Sequence, residues 1–398
     1  MIDPQTTAEM VGVYIGWEEL EKQLSEQLGT EREKIIDFYL IDPRKGKKFT
    51  SRQQVLEGLE DLYNRVEPTN NEEEFIKAKL RASMSFISAL TGEVIPFSDY
   101  VKNITGLTPQ LIPEEVIRKQ KEIMHARMRE IGYRPESEPF EKFFKRITIS
   151  KEKALRQLDV IKRTVPPFVQ RILGFNDLVI DYVIKDVEEK DFWGAWTSKE
   201  SGEPFLLRFN FQPMIQWRKG DMRRISIHEY THFIHGQNLM NGISKGQINP
   251  FIGITTVQDP HTFNGEGTAN AVLYHPEVEK KLSKYELFSR DRVALGHYLI
   301  SNGIILLNQG KDEEELIEYF RDYPFLNRKR LLDSFARWKT PSRKAYEYVY
   351  GSTLLTHLQL LGRLSPEKQK IYLQHALTRY EMPERLIGFA DRLFVHLI

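Results

Sequence analysis

The sequence predicts a mainly α protein carrying one small antiparallel β-sheet, an α+β arrangement. Three observations lead to this. Segments with apolar residues at three-four spacing fill both ends of the chain, a short central stretch switches to period-2 alternation, and Pro, Gly and Asn punctuate the joins.

From the N-terminus to Gly174 the pattern is helix after helix. Trp17 to Leu28, Arg52 to Val66 and Glu72 to Leu90 each present one apolar stripe. Pro113 to Ile131 is punctuated most clearly, with Pro113 at the first helical position, Glu114 and Glu115 in the first turn and Gly132 just past the end. Pro135, Pro139, Pro166 and Pro167 are expected to break helices. Leu178 to Val187 is then rich in β-branched and aromatic residues, and Phe192 to Thr197 is a second short aromatic run. Pro204 to Gln212 alternates Phe205, Leu207, Phe209 and Phe211 against more polar partners, with a hairpin loop expected over Ser198 to Glu203 around Gly202. Helical character returns from Leu282 to Ile398. The expected organisation is a helical region over 1–174, a core over 175–281 and a helical region over 282–398 that completes a cleft.

Charge and composition narrow the function classes. Lys and Arg number 57 against 56 Asp and Glu, a net charge of +1 that provides no pull on nucleic acid. No apolar run reaches the roughly 18 residues a membrane helix needs, and the stretch at Leu299 to Leu307 is broken by Ser301, Asn302 and Gly303. The start, Met1-Ile2-Asp3-Pro4-Gln5, has no basic segment leading into an apolar one, so a cytoplasmic location is expected. There is no cysteine, so any bound metal is held by nitrogen and oxygen.

The most specific feature is His228-Glu229-Tyr230-Thr231-His232. It falls in a segment, Asp221 to Asn238, with Asp221 placed to cap the first turn, Ile225, Ile227, Phe233 and Ile234 as apolar anchors, and Gly236 or Asn238 as a stop. Two imidazoles four residues apart lie about 6 Å apart along one helix face, with Glu229 beside them, the spacing of a zinc site with its general base attached. Catalytic zinc takes three protein ligands. His235 is excluded as the third, because seven residues of regular helix put it about 10.5 Å from His228 along the axis.

Downstream, Asn264 to Ala271 opens a second helix whose one acid is Glu266, 34 residues after His232. Gly265, Gly267, Ala269 and Ala271 make a poor exposed helix, so close packing against the first helix is expected. One turn on, Asn270 is placed to accept from the second ring nitrogen of a ligating histidine. Glu277, Asp259 and His261 are further candidates for the ligand set or its support.

These residues resemble the gluzincin group of zinc peptidases. The resemblance implies a zincin-like core, His228, His232 and Glu266 as Zn2+ ligands and Glu229 as general base. Thermolysin-like members carry aspartate where this chain has Asn270. Ala345 to Gly351, with tyrosines at 346, 348 and 350, also resembles the Tyr-x-x-Gly segment of the mostly helical gluzincins related to carboxypeptidases and oligopeptidases. That match implies an oxyanion-stabilising phenol, with Tyr348 fitting the spacing and Tyr346 and Tyr350 as fallbacks.

The expected activity is hydrolysis of short or unfolded peptides, with an edge strand of the small sheet aligning the substrate main chain. Arg208, Arg218 and Arg343 are candidates for binding a terminal carboxylate. Two other readings stay open: a non-catalytic helical interaction protein with a structural or relic metal site, and a metallohydrolase of a non-peptide amide.

Overall fold

The computed structural model describes residues 2–29, 33–42, 44–189, 194–321, 323–326 and 328–395. The first helix, α1 (Pro4–Leu28), starts where the Asp3 carboxylate accepts the Thr6 N–H and stops at Gly29, whose φ of 62° is left-handed. Strand β1 (Ile36–Tyr39) follows, then α2 (Arg52–Arg65), α3 (Asn71–Leu90), α4 (Phe97–Thr105), α5 (Glu114–Glu130), α6 (Phe140–Ile147) and α7 (Lys151–Leu173). The middle of the chain forms β2 (Tyr182–Val187), β3 (Ala195–Ser198), β4 (Phe205–Asn210), α8 (Asp221–Ser244), β5 (Ile254–Thr256), α9 (His261–Ala271) and α10 (Pro276–Glu279). The remainder is helical: α11 (Lys284–Asn308), α12 (Glu313–Tyr319), α13 (Arg328–Trp338), α14 (Pro341–Leu361), α15 (Pro366–Ala376) and α16 (Pro383–Val395). The fold is therefore mainly α with a small β component.

The β component departs from expectation in two ways. In the three-stranded sheet β4 is central, pairing antiparallel with β3 and parallel with β2, so the sheet is mixed. A second sheet joins β1 to β5, and β1 lies in the region expected to be wholly helical. Four residues are too few for alternation to register against long flanking helices. The hairpin between β3 and β4 turns at Gly202, whose φ is 77°. Of the aromatic run expected from 192 to 197, Phe192 and Trp193 lie outside the described residues.

Two breaks expected from the sequence do not occur. Pro166 and Pro167 sit inside α7. The carbonyl that the missing Pro166 N–H leaves unpaired belongs to Lys162, and it accepts a hydrogen bond from the Tyr182 hydroxyl at 3.2 Å. Helix α8 likewise runs through Gly236 to Ser244. Gly236 serves packing: a Cβ there would stand 2.7 Å from the Phe205 ring. Asp221 is not the cap of α8. Gly220 holds that position with φ 90°, and the buried Asp221 carboxylate instead takes the Arg218 N–H, the Ser289 hydroxyl and Arg292.

Helix α8 lies at the centre, packed on α7, α9 and α11. The small sheet covers it through Phe205 against Phe233 and Tyr182 against Tyr230. Helix α9 is wedged between α8 and α14, and every residue from Thr262 to Ala271 is buried. Among the described residues no helix is long and apolar enough to cross a membrane.

Candidate metal centre

Because α8 is an unbroken helix, His228 and His232 point the same way, and their Nε2 atoms are 3.3 Å apart. Glu266 reaches them from α9, its Oε2 at 3.3 Å from the Nε2 of His228 and 3.8 Å from that of His232. The glycines of α9 explain how a fully buried helix fits here, but the close neighbour is not the expected one. A Cβ at Gly267 would meet the His357 ring of α14 at 2.2 Å, so this glycine lets α14, rather than α8, approach. That approach carries Tyr346 to the site, where its hydroxyl donates to Glu266 Oε1 at 3.1 Å and itself accepts from Tyr350 at 2.7 Å.

Burial sets the protonation states. It lowers His228 to about 3, assisted by the nearby Arg224 cation, and lowers His232 to about 4 against the opposing pull of Glu266. Both imidazoles are thus neutral near pH 7, the form that binds metal. Burial also pushes Glu229 up to about 8, with the Glu266 charge adding to the effect while the Thr197 hydroxyl of β3 favours the ionised form. Glu266 is raised by the same desolvation. Tyr346 and Tyr350 are held well above the ordinary phenol range, again by burial first, so both remain donors.

The donor set fits zinc. Ligand bonds of 2.0–2.1 Å arranged tetrahedrally place donor atoms about 3.3–3.4 Å from one another. The two separations of 3.3 Å meet that spacing and the third, 3.8 Å, is slightly wider. Glu266 Oε2 has no hydrogen-bond partner despite burial, leaving its lone pairs for a cation. Among the described residues His228, His232 and Glu266 are the one group of three His, Asp or Glu side chains that converges in this way.

The other candidates fall elsewhere. The Asn270 amide donates to the Glu266 carbonyl at 2.9 Å, and its side chain favours the protonated form of His228. The approach stops short of full hydrogen-bond geometry, since His228 Nδ1 has no partner. Tyr348 does not reach the site. Two residues along a helix turn it roughly 200° away from Tyr346, and its hydroxyl accepts from the Gln110 N–H at 3.1 Å beside Phe97. Gly351 is a packing residue, because a Cβ there would lie 2.4 Å from the His297 carbonyl on α11. Asp259 pairs with Lys79 at 3.0 Å in the interior, and Glu277 pairs with Lys280 at 2.8 Å on the surface. His235 and His261 face each other at 4.7 Å between ring centres. Arg208 donates to Ser198, and Arg218 stacks over Phe144 beside Asp221. Thr197, Arg224 and Asp37, whose charge reaches Glu229, His232 and Glu266, carried no recognisable signal in the sequence.

In class the molecule is a mainly helical protein with a buried two-histidine, one-glutamate centre on adjoining helices. No family model matches the chain, and no curated protein matches it. Among solved structures it is similar to one described as "the putative lipoprotein from Colwellia psychrerythraea", with a TM-score of 0.57 and 12% identity over 87% of this chain and 68% of the other. The likeness is one of fold. The description of that neighbour as a lipoprotein stands against the cytoplasmic expectation, which rested on the first few residues; it is said of the neighbour, and no location is assigned to this chain.

Proposed function

We propose that this chain is a zinc-dependent peptidase with a gluzincin-type site, in which His228, His232 and Glu266 hold the metal and Glu229 is the general base. The observation that supports this most is the triangle of two neutral imidazole Nε2 atoms and one unpartnered carboxylate oxygen, with separations of 3.3, 3.3 and 3.8 Å. Three converging protein ligands favour a catalytic site over a structural one, which takes four. Zinc in such a site supplies a Lewis acid and a water nucleophile available near neutral pH.

Glu229 follows the first ligand and is poised as a base by burial and by its carboxylate neighbour. It takes the proton of the attacking water and returns it to the leaving amide nitrogen. Tyr346 orients Glu266, and the Tyr346–Tyr350 pair replaces Tyr348 as the source of a phenol donor for the oxyanion, one hydroxyl turning from its present acceptor to do so. Strand β3 carries Thr197 beside Glu229 and is one of the two outer strands of its sheet. Beyond β4, the one bridge it approaches among the described residues is Lys199 with Phe38, leaving Ala195–Ser198 to align an extended peptide.

The test is a peptide-library digest read by mass spectrometry, with zinc and with a chelator. Cleavage is expected with zinc, lost on chelation and restored by adding the metal back. Glu229→Gln is expected to keep its zinc by elemental analysis while turnover drops by about 10² to 10⁴. Full activity in that variant sinks the assignment of Glu229, and cleavage that survives chelation sinks the metallopeptidase reading.

A further inference from the structure

A cavity of about 560 Å³ opens between α7 and the starts of α8 and α11. Its lining holds four cations, Lys153 and Arg156 on α7, Lys219 just before α8 and Arg223 in the first turn of α8, against one acid, Glu286. Four against one is a local excess of three positive charges, in a chain whose net charge is +1. None of His228, Glu229, His232 or Glu266 lines this cavity. Gly220 on its wall precedes His228 by eight residues, about 12 Å of helix.

The one acid is already committed. Glu286 closes the capping box of α11 by accepting the Ser283 N–H at 2.7 Å, and it accepts from Arg223 at 3.1 Å. Arg223 also donates to the Lys281 carbonyl at 3.0 Å. Lys153, Arg156 and Lys219 make no ion pair among the described residues, and Lys219 lies over the Tyr285 ring at 5.1 Å. Three uncompensated cations around one concavity repel one another, and a bound anion removes that repulsion. The start of α8 adds to the field. It has no side-chain cap, and a Cβ at Gly220 would collide with the Tyr285 carbonyl, so this glycine lets the helix N-terminus close against α11.

Size and lining narrow the anion. Small-molecule sites span about 300–1,000 Å³, so the volume suits a molecule of nucleotide size and far exceeds a lone inorganic anion. Val160 and Tyr285 give the lining apolar and aromatic surface for an organic body. A carboxylate offers one charge, whereas a phosphate monoester carries close to two near pH 7, and guanidinium and ammonium groups are its usual donors. We propose that this cavity binds a soluble organic phosphate of nucleotide size, its phosphate held by Lys153, Arg156 and Lys219 and its body set against Tyr285 and Val160. The site is independent of the peptidase reading above.

The probes are ADP, AMP and fructose bisphosphate, with adenosine, inorganic phosphate and citrate as comparisons. Each is titrated calorimetrically into the full-length protein, with zinc and again with a chelator. At least one organic phosphate is expected to bind under both conditions, more weakly as salt is added, while adenosine does not bind. The double variant Lys153→Glu, Arg156→Glu changes two exposed side chains and is expected to weaken that binding about tenfold or more, with the unfolding midpoint unaltered. Lys22→Glu, Lys329→Glu makes the same charge change at exposed positions of α1 and α13, outside the cavity, and is expected to keep the affinity within about twofold. Failure of all three organic phosphates to bind overturns the proposal. So does an affinity that the cavity variant leaves unmoved, or that the α1 and α13 variant lowers equally. Inorganic phosphate or citrate binding as tightly as the organic phosphates overturns the ligand class, and binding that needs zinc places the phosphate on the metal and overturns the site.

Discussion

Two pairs of histidines, both drawing on helix α8, have different prospects. His228 and His232 turn their Nε2 atoms together at 3.3 Å and meet the Glu266 carboxylate. His235 and His261 meet edge to face, and His261 stacks on Tyr380 at 4.3 Å between ring centres. Both pairs are desolvated, and in both the imidazoles are held neutral. Burial and proximity therefore do not distinguish a metal site. The distinction lies in an anionic oxygen converging with two ring nitrogens at the spacing of a tetrahedron's edge.

The comparison is broken most directly by removing one histidine from each pair. His232→Ala is expected to lose zinc outright, whereas His235→Gln keeps close to the wild-type metal content in its folded fraction; elemental analysis of purified protein reads both. Equal loss from the two variants, or none from His232→Ala, dissolves the distinction.

A smaller effect separates the tyrosines of α14. Tyr346→Phe removes the donor to Glu266 and is expected to lower kcat by about 10²-fold, the scale of one oxyanion-site donor. Tyr348→Phe, whose hydroxyl holds the Gln110 N–H far from the centre, should change kcat by much less. A larger kinetic loss in Tyr348→Phe than in Tyr346→Phe would return the oxyanion role to the residue that the Tyr-x-x-Gly spacing selects.

The smallest effect sharpens the second pair through pH. Burial lowers His261 to about 3 and, on α14, His357 to about 4. Both are neutral in the folded chain and gain a proton near pH 6.5 on unfolding, so their contribution is complete above pH 6.5. It declines as pH falls toward 4, by about 1.4 kcal/mol per pH unit for each histidine. Denaturant unfolding at pH 6.5 and 5.5 reads this, and His357→Gln should flatten the slope by one histidine's share. An unaltered slope in that variant excludes His357 as a contributor.

Much of the fold and half of the centre were legible along the chain. Helical periodicity located α2, α3 and α5 to within a residue or two, because an amphipathic stripe is a local property. Two imidazoles and a carboxylate on a single helix share a face for the same reason. Proline and glycine were less dependable punctuation. Pro166 stays inside α7 because Tyr182 takes up the freed carbonyl, and Gly236 stays inside α8 because Phe205 requires the space. Those partners come from other segments, and no local window contains them.

The sequence by itself determined the helical class and the spacing of His228 and His232 on one face of α8, both of which follow from periodicity within one element. Tertiary structure alone decided which tyrosine of α14 faces Glu266 and what the glycines of α9 make room for. Each of these is a contact between residues 80 or more apart in sequence, set by which helices the packing brings together, and spacing along the chain does not encode it.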